Sequence, residues 1–174
     1  ALKKKFSDNQ IYKKNLPSNI SYRSLYNIAE KIRYEVLGGK MLKGIEKNLS
    51  ENYYHKIKLK RKDQLKSKDD VTVSEAFELY MLKNFHKIKL NSLTSKMLDF
   101  WEKDFNKSIL KHMNFLNKNL ENQHNYSLKF SEIIQGMNIF DSEENEDKNN
   151  EESKEDKQES DNNENNSEDQ EKED

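Results

Sequence analysis

Cysteine is absent from the 174 residues, proline occurs once, at Pro17, and glycine only at 38, 39, 44 and 136. Without cysteine there is no disulfide, no thiol nucleophile and no Cys-ligated zinc, and the composition fits a reducing compartment. So few chain breakers favour helix along most of the length. No apolar run approaches the ~20 residues that a membrane span requires, and the Lys-rich start is followed by no signal-like apolar core. The expectation is a cytoplasmic protein with no membrane partner.

Charge is balanced overall, at −1, but unevenly distributed. Residues 1–138 hold 27 Lys and Arg against 15 Asp and Glu, whereas residues 139–174 hold 4 Lys against 17 acids. Beyond Phe140 there is no aliphatic or aromatic residue. Such a segment cannot bury enough apolar surface to offset the backbone entropy lost on ordering, about 1–2 kcal/mol per residue. Residues 139–174 are therefore expected to form a disordered acidic tail. The apolar residues are concentrated in the body, which is long enough for a modest core of its own.

Within the body, a lead-in over residues 1–20 is expected to be extended or only partly ordered, followed by a helical domain over 21–138. After capping candidates at 18–21, Leu25, Ile28, Ala29, Ile32, Val36, Leu42, Ile45 and Leu49 recur at mostly three- and four-residue steps. The pattern predicts one long amphipathic helix, bent at Gly38-Gly39. Residues 54–70, rich in Lys and Asp, are expected to be an exposed connector. Thr72-Val73-Ser74-Glu75 is a capping box opening a helix with Phe77, Tyr80, Met81 and Phe85 on its apolar face and an end near Lys87. A third helix, over about 95–120, carries Met97, Trp101, Phe105, Ile109, Met113, Leu116 and Leu120. A short fourth carries Tyr126, Phe130, Ile133 and Met137. No strand pair has a hairpin signal, so the expected fold class is all-α, a small antiparallel helical bundle.

Catalytic and metal signatures are missing. The histidines at 55, 86, 112 and 124 include no pair at i, i+4 on one helix and no His-Glu-x-x-His. No nucleophile-elbow glycines surround a serine, and no Gly-x-x-x-x-Gly-Lys-Ser/Thr phosphate loop occurs. The basic run Lys56-Ile57-Lys58-Leu59-Lys60-Arg61-Lys62 would suit a phosphate backbone. With only three arginines in the chain, it reads better as a solvated connector than as a nucleic-acid site. Trp101 and the Phe and Tyr residues fall on helical stripes and read as core rather than as base-stacking platforms.

The block over residues 30–49 differs from the rest. Charged and small residues sit inside a helical pattern there, and glycine at 38 and 44 calls for a packing or contact reason. Arg33 can pair with Glu30 across one turn, an exposed contact worth only tenths of a kcal/mol. Either the helices approach closely at the glycines, or this face, with Glu30, Arg33, Glu35 and Asn48, docks a partner subunit.

Glu30, Arg33, Glu35, Gly38, Met41, Gly44, Ile45, Asn48 and Leu49 give this block a pattern that resembles the N-terminal region of the CobT-type subunit of aerobic, ATP-dependent cobaltochelatase. The likeness continues more weakly through Ser74-Glu75-Ala76-Phe77, Leu98-Asp99-Phe100-Trp101 and residues 120–134, and an acidic low-complexity stretch also follows the helical region in that family. The resemblance implies a subunit acting with an AAA+ ATPase and a large chelatase subunit to insert cobalt into hydrogenobyrinic acid a,c-diamide, towards cobalamin. ATP, Mg and cobalt would be used by the complex, with no cofactor and no metal bound by this chain and no catalytic residue in it. In the family the acidic linker leads to a C-terminal von Willebrand A-type domain, which this sequence does not include, so a fragment or a truncated version is expected. An acidic-tailed adaptor or chaperone-like interaction protein is the alternative.

Overall fold

In the computed structural model, residues 1–58 and 65–140 are described. The described elements are helices α1 (Leu2–Phe6), α2 (Asn9–Asn15), α3 (Ile20–Met41), α4 (Lys43–Lys58), α5 (Val73–Asn84), α6 (Ser92–Ile109), α7 (Met113–Lys118) and α8 (Gln123–Gln135). Single 3-10 turns lie at Lys68–Asp70 and Leu110–His112. No strand occurs among the described residues, and the all-α antiparallel bundle expected from the sequence is what forms. All eight helices belong to one compact unit, Ala1–Met137. The acidic tail beyond residue 140 and residues 59–64, which include the end of the basic run, lie outside the described residues.

Local chemistry sets the helix ends. Asn19 caps α3 by accepting from the Ser21 amide at 2.8 Å. Thr72 accepts from the Glu75 amide at 3.2 Å while the Glu75 carboxylate accepts from the Thr72 amide, the reciprocal box read from the sequence. Asn91 and Thr94 form a second such box at the start of α6, three residues before the expected start. Lys87, with φ of 56°, closes the turn after α5, and the Ile88 amide reaches back to the Leu82 carbonyl.

α3 is the central element: it packs against α1, α4, α5 and α8, and α5 packs against α6. Its buried stripe is Tyr22, Leu25, Tyr26, Ala29, Ile32 and Leu37. The α5–α6 layer centres on Phe105, whose ring meets Phe77 at 5.5 Å and Tyr80 at 5.3 Å between centroids. Trp101 stands at the edge of that cluster, half-buried, donating from Nε1 to the Val71 carbonyl at 3.1 Å, with the Lys68 ammonium 4.0 Å from its ring centroid.

Four expectations need correction. The lead-in is not extended: Asp8 caps α2 through the Gln10 and Ile11 amides, and α1 and α2 pack on α3 and α8. The long helix does not bend at Gly38-Gly39 but ends at Met41 and restarts at Lys43, leaving Leu42 52% exposed instead of on the stripe. The connector begins later than expected, because α4 runs to Lys58 with Tyr53 and Ile57 buried, and Leu65 and Val71 are buried beyond it. The third helix breaks at a 3-10 turn after Ile109.

The glycines separate into two kinds. An ideal Cβ on Gly38 would lie 2.6 Å from Leu2 Cδ2, and one on Gly39 would lie 3.2 Å from Glu46 Cβ, so both admit close neighbours. Gly44 has nothing within 4 Å of such a Cβ. Its backbone is helical, so Gly44→Ala is expected to raise stability by up to about 1 kcal/mol. Urea denaturation measures this, and a loss of stability would mean that the open space at Gly44 is filled in solution.

Candidate functional site

The block that stood out in the sequence is folded inward. Glu30, Arg33 and Glu35 are 4%, 1% and 6% exposed, whereas Asn48 is exposed on α4. Three of the four candidate contact residues thus face the interior, and the expected docking face is not a surface at those positions. The physical reason is that α3 is covered on several sides at once. α1 and the α7–α8 junction close over Arg33, α8 covers Glu30, and α4 and the turn after α5 enclose Glu35.

Arg33 is the most connected of these residues. One guanidinium nitrogen, Nη1, donates to the Leu120 carbonyl at 2.9 Å, and Nη2 donates to the Phe6 carbonyl and to Ser7 Oγ at 3.3 Å. A single planar fork therefore joins three segments of chain. Its Nε is buried without a hydrogen-bond partner, 3.7 Å from Glu30 Oε2. The pair is ionic rather than hydrogen-bonded at that atom. It is also buried, unlike the exposed contact the sequence spacing implied.

Glu30 is satisfied mainly from α8. The Ser127 hydroxyl donates to Oε1, and Gln123 Nε2 donates to Oε2 at 3.2 Å. Gln123 also accepts from the Asp8 amide at 2.7 Å, so the same side chain ties α2 to the network. Tyr126, fully buried beside it, donates to the Ala29 carbonyl at 2.9 Å. Burial pushes the Glu30 carboxyl above its usual range, while the Ser127 hydroxyl, the Arg33 charge and Gln123 pull it back.

That direction fixes a pH dependence. A carboxyl whose folded pKa is raised costs stability when ionised, and the cost disappears as pH falls towards the unfolded value of 4.5. Glu30→Gln cannot titrate. Wild type should therefore gain stability relative to Glu30→Gln as pH falls from 7 towards 4.5. Parallel urea titrations across that range measure the difference, and a gap that stays constant would contradict the raised value.

Glu35 organises a second cluster. Its Oε2 accepts from the Tyr53 hydroxyl at 2.6 Å and lies 3.2 Å from His86 Nε2, while Lys31 Nζ stands 4.0 Å from Oε1. Burial, and then the Glu35 carboxylate, push the Tyr53 phenol far above its usual range, so Tyr53 remains a hydrogen-bond donor. His86 is the histidine drawn into this cluster. His55 and His124 are exposed, and His112 is half-buried near the end of α6. Among the described residues no group of three or more His, Asp or Glu side chains is arranged to hold a metal ion.

Ser127, Gln123 and Tyr53 were not singled out from the sequence, and His86 was weighed there only as a metal ligand. Only Ser127 and Gln123 left a trace, as polar residues beside the apolar stripe of α8. The hydroxyls, amides and carboxylates gathered on α3 donate to and accept from one another, so their chemistry is that of a lock between helices. Among the described residues, no helix is long and apolar enough to cross a membrane.

Fold and interior together define an all-helical scaffold whose buried charges hold a central helix to its neighbours. The chain belongs to the CobT family: the family model described as Cobalamin biosynthesis protein CobT matches residues 1–174, the whole sequence. Membership places it in cobalamin biosynthesis. Comparison with curated proteins and with solved structures returned no match.

Proposed function

We propose that this chain is an assembly module of cobaltochelatase, docking on an AAA+ ATPase subunit while a large chelatase subunit inserts cobalt into hydrogenobyrinic acid a,c-diamide. The observation that carries the reading is the match of the CobT family over the full sequence. The helical unit supports it, because a rigid scaffold locked by buried polar groups can transmit force from an ATPase without rearranging. ATP and Mg belong to the ATPase partner in this reading, and cobalt is the cargo of the large subunit.

The test is association of the full chain with the AAA+ subunit encoded in the same genome, followed by light scattering after size exclusion. A complex whose population depends on ATP is the expected result. A folded chain that stays separate from the ATPase subunit in both the presence and absence of ATP would overturn the proposal.

A further inference from the structure

The end of α6, the 3-10 turn that follows it and the face of α8 border a groove of about 440 Å³. Lys107, Lys111 and His112 line it from the α6 side, and Lys129 and Glu132 from α8. Glu132 is its one carboxylate among the described residues, and it is already engaged by Lys129 at 3.2 Å. Lys107 and Lys111 have no carboxylate partner among the described residues. Burial, and then the Lys129 and Lys111 charges, push the His112 imidazole below its usual range, with Glu132 acting in the opposite sense. The groove therefore holds an uncompensated positive potential.

It also has an apolar rim. The Lys129 ammonium sits 5.6 Å from the Phe115 ring centroid, which places that ring beside the groove. Leu128 lies on α8 one turn before Glu132. Phe115 and Leu128 are each 41% exposed, large apolar surfaces that the bundle does not use.

We propose that this groove docks an acidic, amphipathic helix of a partner protein, its carboxylates meeting Lys107, Lys111 and Lys129 and its apolar side chains meeting Phe115 and Leu128. Charge complementarity selects the acidic half, and the exposed ring and leucine select the apolar half. Residues 141–174 supply carboxylates but no aliphatic or aromatic side chain, so they do not provide the apolar half of such an occupant. A concave groove fits one helix better than it fits the flat surface of an anionic bilayer. The inference deepens the proposed assembly role by naming a surface and a partner chemistry, and it rests on that role only for the identity of the partner.

Binding an acidic segment stabilises the protonated form of His112. The His112 pKa is then higher in the complex than in the free chain. Affinity should accordingly rise as pH falls, and the contribution of His112 is lost as pH rises through the bound-state value. The groups facing that imidazole are Lys107, Lys111, Lys129 and Glu132.

The probe is a fluorescein-labelled helical peptide of about 20 residues with Glu at i and i+4 and Leu at i+3, titrated with the full chain at physiological salt. Saturable binding is expected, weakened about tenfold or more by Lys107→Glu/Lys111→Glu and about threefold by Phe115→Ser, with thermal stability unchanged. Lys13→Glu/Lys14→Glu, on the exposed end of α2, should leave affinity unchanged. NMR should show the His112 resonance titrating at higher pH when the peptide is bound.

No saturable binding, an equal loss from the α2 pair, or tighter binding to phosphatidylglycerol vesicles than to the peptide would overturn the proposal. The peptide assay contains no ATPase subunit. Peptide binding without ATPase association would count against the assembly role alone, and ATPase association without peptide binding would count against the groove alone.

Discussion

Arg33→Ala is expected to cost about 3–5 kcal/mol of folding stability, the range for breaking a buried charge pair from one side. In a helical unit of this size that corresponds to a fall of roughly 10 °C or more in Tm. Three losses combine. The carbonyls of Leu120 and Phe6 lose their donor, the Glu30 carboxylate loses its counter-charge, and a cavity opens beneath α1. Arg33→Lys should recover only part of the loss, since an ammonium keeps the charge but cannot reproduce the planar fork that spans both carbonyls. Urea denaturation of the three proteins decides the matter. A change below about 1 kcal/mol for Arg33→Ala would show that water replaces the guanidinium at little cost.

Phe105→Ala should be comparably damaging, at about 3–5 kcal/mol. Phe105 is fully buried and its ring lies against Phe77 and Tyr80, with Trp101 stacked 6.4 Å away. The loss would combine transfer free energy, ring–ring contact and an unfilled cavity. Asn106 accepts from the Tyr80 hydroxyl at 3.0 Å, which fixes that ring and limits how far it can relax into the space. Phe105→Leu keeps most of the volume and should cost less than half as much. Equal losses for the two variants would mean that the aromatic contacts, not the volume, hold α5 to α6.

The features that could be read from the sequence are those whose cause is local. The Thr72–Glu75 box is written in four consecutive residues, and the α6 and α8 stripes are written in three- and four-residue steps. The break at Leu42 left no such mark, because leucine is a good helix former and the nearby glycines drew the bend to the wrong place. α1 and α2 are too short and too Lys-rich to stand out by periodicity, and their order comes from contacts made elsewhere, such as the Asp8–Gln123 bond across 115 residues.

The same difference explains the candidate site. Glu30, Arg33 and Glu35 were singled out correctly as unusual, since charges and glycines in a helical pattern call for a cause. Their burial could not be seen because much of what encloses them is distant in sequence: Leu120 lies 87 residues from Arg33, Ser127 lies 97 from Glu30, and His86 lies 51 from Glu35. A charged residue on a helix is ordinarily solvated, so only the fold reveals that these are paired inside. The block over residues 30–49 thus supplies a structural lock at Glu30, Arg33 and Glu35, and the docking surface proposed above is a different one.

A double-mutant cycle on Glu30→Gln and Arg33→Met tests that claim most directly. If the two side chains form one internal lock, Arg33→Met is strongly destabilised while the Glu30 carboxylate is present and much less so in the Glu30→Gln background. The expected coupling is about 2 kcal/mol or more. An Arg33→Met variant that folds as stably as wild type, with the effects of the two substitutions additive to within about 0.5 kcal/mol, would contradict the account and return these residues to the surface as candidates for partner contact.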